Sequence, residues 1–341
     1  MAIDLPLVWA VIIAVAVLLY VSLDGFDLGI GILFPFARSA ADRDVMMSAI
    51  APYWDGNETW LVLGGGGLFA AFPVAYAILM PAFYLPVMLM LLALILRGVA
   101  FEFRLRGRAR GKALWTACFA GGSLMAAVAQ GLILGGFIQG VRTSGEAFSG
   151  GAFDWATPYS LLTVAGLVAG YALLGAGWLM LKTTDDLHGD ARRWAKIAAI
   201  AVAALLAAES LATLLVHHEV AERWGFTGRT FQLAVLAPLA PIPLIGAVGL
   251  GLIWLGLARR SPALPFAGAI VVFLSGYMGL AASFFPNIVP YHIGFRAAAN
   301  EHGALSLLFV GVSFLLPLIL GYTGFVFWLF RGKVAADGAY H

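Results

Sequence analysis

Four carboxylates stand in or beside the apolar stretches that open this chain. Asp24 and Asp27 lie inside the first stretch, and Asp55 and Glu58 lie at the start of the second. A carboxylate inside a bilayer costs a few kcal/mol on insertion scales, so acids at such positions usually face a protein interior and mark proton or ion paths. We therefore expect these four acids to perform the chemistry of the chain.

The spacing of Asp24 and Asp27 places both side chains on nearly one face of a helix. Burial and a second carboxylate nearby both disfavour the ionised form, so such an acid can take up and release a proton near neutral pH. Gly25, Gly29 and Gly31 would let another helix approach this face closely. The pattern predicts a packing seam that contains protonatable groups.

A purely structural role for these acids is the alternative. Asp24 or Asp27 could cap a helix break at a neighbouring glycine, or pair with Arg97, a basic residue inside a later apolar stretch. Arg97 could instead extend its guanidinium to the membrane surface, but we favour a pair with an acid of the first or second stretch. The sequence leaves both roles open for Asp27 and Glu58, whereas Asp24 and Asp55 favour proton transfer.

The composition around these residues is that of a membrane protein. Hydrophobic residues make up 62% of the chain, charged residues make up 11%, and the mean hydropathy is +0.94. A helix needs about 20 apolar residues to cross a hydrocarbon core, and the chain contains about nine such runs. They predict transmembrane helices over residues 7–33, 58–80, 82–103, 113–139, 158–181, 194–216, 231–257, 264–285 and 304–330.

The loops between the predicted helices are short, and the longest lie around residues 34–55, 140–157 and 286–303. No separate soluble domain fits in them, so we expect residues 1–341 to form one all-α, polytopic transmembrane domain. The first apolar run is too long for a signal-peptide core and is expected to remain as a helix. The single cysteine, Cys118, is expected to be a buried side chain inside a span.

Basic residues are unequally divided between the two sets of loops. They accumulate on the cytoplasmic side of membrane proteins, so the asymmetry predicts a periplasmic N-terminus and a cytoplasmic C-terminus. Asp24 would then lie about 10 Å inside the cytoplasmic boundary, with Asp55 near it. The other set of loops contains only Arg142, Arg223 and Arg229 with Arg296. The predicted cytoplasmic set contains Arg38, Arg43, Arg104, Arg106, Arg108, Arg110, Lys112, Lys182, Arg192, Arg193, Lys196, Arg259, Arg260, Arg331 and Lys333.

Two sequence blocks resemble a known family. LDGFDLGIG (Leu23 to Gly31) followed by IAPYWDGNETWL (Ile50 to Leu61) is similar to the signature of subunit II of cytochrome bd-type quinol oxidases, and the ETW form is most similar to the cyanide-insensitive branch. After Pro290 the sequence YHIGFRAAANEHG departs from the family pattern. The resemblance extends through GGGG (Gly64 to Gly67), FAAFP (Phe69 to Pro73), LRGVAFEFR (Leu96 to Arg104) and FPNIVP (Phe285 to Pro290).

The resemblance implies a terminal respiratory oxidase of the bacterial inner (cytoplasmic) membrane that oxidises quinol and reduces dioxygen to water. Subunit II would have nine helices and would scaffold subunit I, which contains haems b and d and the quinol site. The implied partners are subunit I, one or more small single-helix subunits, the quinol pool and membrane lipids. The implied cytoplasmic proton-uptake pathway has Asp24 and Asp55 as stations, with Trp54, Asp27, Glu58 and Arg97 in supporting roles.

The histidines bear on where the haems are held, because a haem between helices needs an axial ligand that projects from them. All six histidines fall in predicted loops, helix ends or the tail, so we expect this chain to hold no haem itself, while a structural quinone or lipid stays open. The roles of Glu209, His217 and His218 also stay open: Glu209 suits a second relay or a structural acid. The histidines are His188, His217, His218, His292, His302 and His341.

A proton-coupled secondary transporter or channel is the alternative function, in which the same acids would bind a coupling ion. It predicts activity from this chain alone, whereas an oxidase subunit is inert until a haem-bearing partner is present. A pure scaffold is a third interpretation and predicts that the acids are replaceable. The basic run from Arg104 to Lys112 lies beside a span, so it indicates topology and lipid contact and no nucleic-acid partner.

Overall fold

The computed structural model describes residues 3–106, 109–228 and 230–334. Three residues counted above lie outside the described residues: Arg108, Arg229 and His341. The helices are, in chain order, α1 (Leu5–Leu33), α2 (Ala40–Ser48), α3 (Trp54–Ala71), α4 (Pro73–Ala82), α5 (Tyr84–Arg106), α6 (Ala109–Gln139), α7 (Pro158–Lys182), α8 (Asp185–Val216), α9 (His218–Arg223), α10 (Leu233–Leu236), α11 (Pro241–Arg259), α12 (Leu264–Phe284), α13 (Phe295–Ala298) and α14 (His302–Leu329).

Eight of the described helices are long and apolar enough to cross a membrane. They agree with eight of the predicted spans, and the first is extended by a 3-10 turn at Phe34–Phe36. The all-α, multi-pass membrane fold is therefore confirmed. The eight helices are α1, α5, α6, α7, α8, α11, α12 and α14.

The second predicted span, residues 58–80, consists of two helices. α3 ends at Ala71 and α4 begins at Pro73, and Phe72 between them leaves the helical region at φ −133° and ψ 64°. Proline has no backbone N–H and disfavours the α conformation in the residue before it, which explains the break. α3 also opens with polar residues and contains a run of glycines, and it is not among the eight helices that are long and apolar enough to cross a membrane.

Two long helices start at other positions than the hydropathy predicts. α8 begins at Asp185 rather than at 194, because acidic residues in its first turn favour a helix N-terminus. α11 begins at Pro241 rather than at 231. The apolar residues before Pro241 are used instead in a short hairpin and in α10, so hydropathy alone misplaces this start.

Short antiparallel hairpins connect the helices at one end of the bundle, which we call the hairpin end. The opposite end contains the basic residues of the predicted cytoplasmic loops, and we call it the basic end. Arg296 donates to Asp4 at 2.7 Å, which ties the segment before α14 to the start of α1 at the hairpin end. In the described part of the chain the strands are β1 (Thr143–Ser144), β2 (Ala147–Phe148), β3 (Phe226–Thr227), β4 (Thr230–Phe231), β5 (Asn287–Val289) and β6 (Ile293–Gly294), paired in sequence order.

The helix α1 lies at the centre of the bundle and packs against α3, α6 and α7. A Cβ atom at Gly29 would lie 1.8 Å from the carbonyl oxygen of Tyr171, and one at Gly175 would lie 2.5 Å from the carbonyl carbon of Gly29. Only glycine permits these backbones to approach so closely. The predicted small-residue seam is confirmed: α7 approaches it at Gly25 and Gly29, and α6 approaches it at Gly31.

Two partly buried ion pairs hold the segment between α1 and α3, which includes α2, at the basic end. Arg104 of α5 has a side chain that is only 2% exposed, and it donates at 2.5 Å to Asp44 of α2 and at 3.0 Å to Thr116 of α6. Arg38 donates at 2.5 Å to Asp190 of α8. The chain between α1 and α3 is therefore held against α5 and α8.

A buried lysine fixes the start of α3. Lys182, at the end of α7, donates to the Tyr53 hydroxyl at 3.0 Å and to the Phe330 carbonyl oxygen at 2.5 Å. Tyr53 in turn donates to the same carbonyl at 2.6 Å. Because Tyr53 immediately precedes α3, these bonds define where the first turn of α3 sits against α7 and α14.

Candidate proton-transfer site

The first element of the site is an ion pair between α1 and α5. Arg97 Nη1 donates to Asp24 Oδ1 at 2.8 Å, and the two side chains are 1% and 0% exposed. An unpaired charge at this depth would be very costly, so the pair stabilises both groups together. The prediction that Arg97 pairs with an acid of the first or second span is confirmed.

Asp27 takes part in a separate contact between α1 and α3. Asn57 Nδ2 donates to Asp27 Oδ2 at 2.7 Å, and it also lies 3.4 Å from the Leu23 carbonyl oxygen. Both Asp27 and Asn57 are buried. Asn57 therefore gives one oxygen of Asp27 an uncharged hydrogen-bond donor.

Glu58 connects this buried group to the surface. Its Oε1 atom lies 3.5 Å from Arg97 Nη1, and its side chain is 26% exposed. Asp55 lies one turn earlier on α3 and is exposed. The structure thus brings Asp24, Glu58 and Arg97 together, with Asp27 beside them, and leaves Asp55 at the rim of the cluster.

Trp54 does not touch the carboxylates by any described hydrogen bond and packs instead against α5. Its ring centroid lies 5.2 Å from that of Phe101, and a Cβ atom at Gly98 would lie 3.4 Å from the indole ring. Because Gly98 has no side chain, the indole of Trp54 fits against α5. Trp54 therefore sets the distance between the first turn of α3 and α5. A role in shaping the entrance stays a prediction.

Charge is unbalanced in this cluster. Asp24, Asp27 and Glu58 surround a single guanidinium, that of Arg97, among the described residues. Uncompensated charge in a low-dielectric interior is strongly unfavourable, so the cluster favours retention of a proton on its carboxyl groups. A group of acids that shares one cation can hold a variable number of protons.

Several buried polar atoms of the cluster have no protein hydrogen-bond partner. Buried polar groups are normally hydrogen-bonded to protein or to ordered water, and polar sites of sufficient size hold water. The convergence of these atoms indicates a place for water or a proton between α1, α3 and α5. The atoms are Asp24 Oδ2, Asp27 Oδ1, Glu58 Oε1, Arg97 Nη2 and Trp60 Nε1.

A hydrogen-bonded chain of three side chains lies next to Asp24, deeper in the bundle. Tyr171 donates to Gln130 Oε1 at 2.5 Å, and Gln130 Nε2 donates to the Tyr20 hydroxyl oxygen at 2.8 Å. All three side chains are buried. Tyr20 lies four residues before Asp24 on the same face of α1, so its own hydroxyl hydrogen is available to the carboxylate side of the chain.

Sequence reasoning missed Tyr20, Tyr171 and the role of Asn57. A tyrosine four residues before a buried acid is a detectable signal, since the two share a helix face. Asn57 lies inside the WDGN block, where the sequence gives no sign that it binds Asp27. Tyr171 gives no local signal, because only the packing of α7 against α6 brings it to Gln130.

The described histidines lie at helix ends and in loops. His188 is in the first turn of α8, His217 caps its end, and His302 begins α14. Within the described residues, no group of three or more His, Cys, Asp or Glu side chains could hold a metal ion. None of the described histidines lies in the middle of a spanning helix.

These features define a class: a polytopic helical membrane protein with a buried, protonatable acid–arginine cluster near one end of the bundle. The family of cytochrome bd terminal oxidase subunit II matches residues 5–330. The chain belongs to this family. It is therefore a subunit of a bd-type terminal oxidase, an oxidoreductase complex.

Named relatives agree with this assignment. The chain is 27% identical to cytochrome bd-I ubiquinol oxidase subunit 2 of Escherichia coli K12 over 98% of this chain and 96% of that one. It is 28% identical to cytochrome bd ubiquinol oxidase subunit 2 of Bacillus subtilis, over 96% of each chain. A probable cytochrome oxidase subunit 2 of Haemophilus influenzae is 32% identical over 58% of this chain and 54% of that relative.

A solved structure supports the fold. The bd oxidase of Geobacillus thermodenitrificans superposes with a TM-score of 0.73 over 97% of this chain and 100% of the matched chain. The sequence identity is 16%, so this likeness concerns the fold alone.

Proposed function

We propose that this chain scaffolds the haem-bearing subunit I of a bd-type quinol oxidase and supplies its proton-uptake route. Reduction of dioxygen to water consumes protons as well as electrons, so a membrane-embedded oxidase needs a path from an aqueous phase. The observation that supports the proposal most directly is the buried cluster in which Asp24 and Glu58 share one guanidinium and a third carboxylate, Asp27, lies beside them without a cation of its own among the described residues. A cluster with a purely structural role would be expected to balance its charges.

The route begins at the surface of the first turn of α3. A proton taken up near Asp55 passes to Glu58, which is half-buried and contacts Arg97. Arg97 keeps Asp24 in place, and water at the unpartnered oxygens of the cluster transfers the proton to the Asp24 carboxyl group. Asp27, held by Asn57, acts as a neighbouring acid that adjusts how many protons the cluster retains.

The positive-inside rule supports the orientation. The basic end, with Arg38, Arg104, Lys182 and Arg259, faces the cytoplasm, and the N-terminus faces the periplasm of a bacterial inner membrane. Proton uptake at Asp55 is then from the cytoplasm. The complex consumes protons from that side.

Subunit I docks on the face of α3 that begins at Glu58. Glycines at 65 and 66 have open space where a side chain would be, and Val62 and Phe69 are 74% and 61% exposed. These residues form one stripe on α3, because they recur at helical spacing from Glu58. A smooth glycine surface accepts a partner helix closely, so protons leave the Glu58–Asp24 cluster directly into subunit I.

The haems b and d lie in subunit I, where they supply the electron transfer and the oxygen chemistry. Quinol is the electron donor, and one or more small single-helix subunits complete the assembly. The ubiquinol oxidase relatives support the choice of a quinol as donor.

The experiment is Asp24→Asn in the intact complex. The amide cannot carry the proton but preserves the shape of the side chain, so quinol-driven oxygen uptake should fall roughly tenfold or more while the haem absorption spectrum stays unchanged. Asp154→Asn is the matched control, because Asp154 lies at the hairpin end and pairs with Arg142 in an exposed contact. Normal turnover in Asp24→Asn with intact haems would overturn the proton route and leave only the scaffold.

A further inference from the structure

A further acid inside a spanning helix lies away from the Asp24 cluster, between α7 and α8. Glu209 is half-buried, and its Oε2 atom is buried without a hydrogen-bond partner. Glu209 lies seven residues before the end of α8, so it sits about 10 Å below the hairpin end. An acid at this depth is costly unless it performs a function or is neutralised.

The contact with Thr163 suits both protonation states of Glu209. Thr163 Oγ1 lies 2.5 Å from Glu209 Oε1 and 3.1 Å from the Tyr159 carbonyl oxygen. When the acid is ionised, the threonine hydroxyl donates to the carboxylate, for which 2.5 Å is a typical charge-assisted distance. When the acid is protonated, it donates to Thr163, which then donates to the carbonyl. Proton binding therefore needs only rotation of one hydroxyl group.

A polar ladder leads from Glu209 to the hairpin end. Thr213 donates to the Glu209 carbonyl oxygen at 2.7 Å and lies 2.6 Å from the Tyr159 hydroxyl. His217 follows four residues after Thr213, contacts the Tyr159 ring edge-on, and has a buried Nε2 atom without a partner. Residues 209, 213 and 217 recur four residues apart, so their side chains line up along α8 towards the hairpin end, and water must join the Glu209 carboxyl group and His217 to the Thr213–Tyr159 pair.

We propose that Glu209 is a reversible proton-binding site that exchanges with the aqueous phase at the hairpin end through Thr213, Tyr159 and His217. The unpartnered atoms of Glu209 and His217 are where water completes this ladder. The site takes a proton from the side of the membrane opposite to Asp55.

The surroundings keep this site separate from the Asp24 cluster. The chain from Asp24 ends at Tyr171, which is two helical turns, or about 12 Å, from Thr163 along α7. A gap of this length prevents protons from crossing the membrane between the two systems. The titratable groups that face the ladder in the described structure are Tyr159 on α7, His217 on α8, Glu219 on α9 and Tyr291 in the β5–β6 turn, whereas α11 meets α8 at the basic end, where Arg192 donates to Leu257.

The test is carbodiimide labelling of the purified complex in proteoliposomes, followed by mass spectrometry of the Glu209 peptide. Carbodiimides modify protonated carboxyl groups in apolar surroundings. Raising the pH from about 6 to about 9 on the side that faces His217 should reduce labelling of Glu209 by roughly tenfold, and the same change on the other side should not. Labelling that ignores the pH on both sides, or follows the Asp55 side, would overturn the proposal.

Two variants examine the ladder itself. Thr213→Val removes the hydroxyl while it preserves the shape of the side chain, so Glu209 should lose its response to the pH on the His217 side. Ser210→Ala is the matched control, since Ser210 is exposed and donates only to the Leu206 carbonyl oxygen of its own helix. An unchanged pH response in Thr213→Val, with intact haem spectra, would show that protons do not use this ladder.

Discussion

Arg97 and Asp24 form a fully buried ion pair, with Nη1 and Oδ1 separated by 2.8 Å and both side chains shielded from solvent. The same Nη1 atom lies 3.5 Å from Glu58 Oε1. One guanidinium thus joins an acid in the interior of the bundle to an acid at its surface. This arrangement makes Arg97 the group on which both the stability of the cluster and the position of its protons depend.

Removal of Arg97 should destabilise the complex more than removal of its partner Asp24. Arg97→Met leaves Asp24 and Glu58 without their cation, and breaking a buried pair in this way costs about 3–5 kcal/mol. The variant should assemble poorly and unfold at a lower temperature, whereas Asp24→Asn with Arg97→Met should recover part of the loss. Thermal unfolding of the purified complexes measures both effects.

The control for this prediction is Arg142→Met, which removes one partner of an exposed pair with Asp154. Exposed pairs contribute about 0–1 kcal/mol. If Arg97→Met unfolded at the same temperature as Arg142→Met, the buried pair would contribute no more to stability than the exposed pair.

Glu58 and Asp55 should differ in their effect on turnover. Glu58→Gln removes the acid that links the surface to Arg97, so oxygen uptake should fall markedly and its solvent isotope effect should rise. Asp55→Asn should act more mildly, because Asp55 is exposed and water can replace it. Oxygen consumption in ordinary and heavy water, with the haem spectrum as the measure of assembly, distinguishes the two variants; a larger effect at Asp55 would contradict the order of the route.

The sequence was sufficient to find the acids but not to pair them. An arginine inside a span needs an acidic partner, so a pair with the first or second span could be predicted from Arg97 alone. The choice of Asp24 over Asp27 depends on the rotation of α1 against α5, which the glycine seam with α7 determines. Asn57 as the partner of Asp27 follows from the same packing, and an amide gives no signal of this kind in a sequence.

Hydropathy predicted the membrane fold and most spans, but it could not place every helix end. The run over residues 58–80 is apolar in its second half. Hydropathy averaged over about 20 residues therefore does not show the helix break that Pro73 causes at Phe72. Residues 231–240 are also apolar, yet they form part of a hairpin and the short helix α10. In both cases local backbone chemistry overrides the average over the window.

Acidification should destabilise the hairpin end through His217. Partial burial lowers the pKa of His217 below its ordinary value, and Glu219 opposes this shift. The folded protein therefore favours the neutral imidazole. This contribution to stability is fully present above the ordinary histidine pKa and is lost as the pH falls through the lowered value.

The measurement is the unfolding temperature of the complex between about pH 7.5 and about pH 5. The wild-type complex should lose more stability over this interval than His217→Gln, in which the side chain cannot titrate. Other groups titrate in both complexes and cancel in the comparison. If the unfolding temperatures of the two complexes changed in parallel with pH, protonation of His217 would not destabilise the fold.

The close approach of α1 and α7 should not tolerate a single methyl group. A Cβ atom at Gly175 would lie 2.5 Å from the backbone of Gly29, which cannot yield without separation of the two helices. Gly175→Ala should therefore move α1, with Tyr20 and Asp24, away from α7, lower the amount of assembled complex and reduce turnover. Gly166→Ala on the same helix is the matched control, since a Cβ atom there meets nothing within 4 Å.

Alanine favours a helix over glycine by about 0.5–1 kcal/mol, so Gly166→Ala should assemble at least as well as the wild type. The yield of haem-containing complex and its oxygen uptake measure the two variants side by side. Because both substitutions make the same chemical change in α7, a difference between them isolates the contact with α1. Equal yields would show that the helices can separate without loss of the cluster, and the link between the seam and the acids would fail.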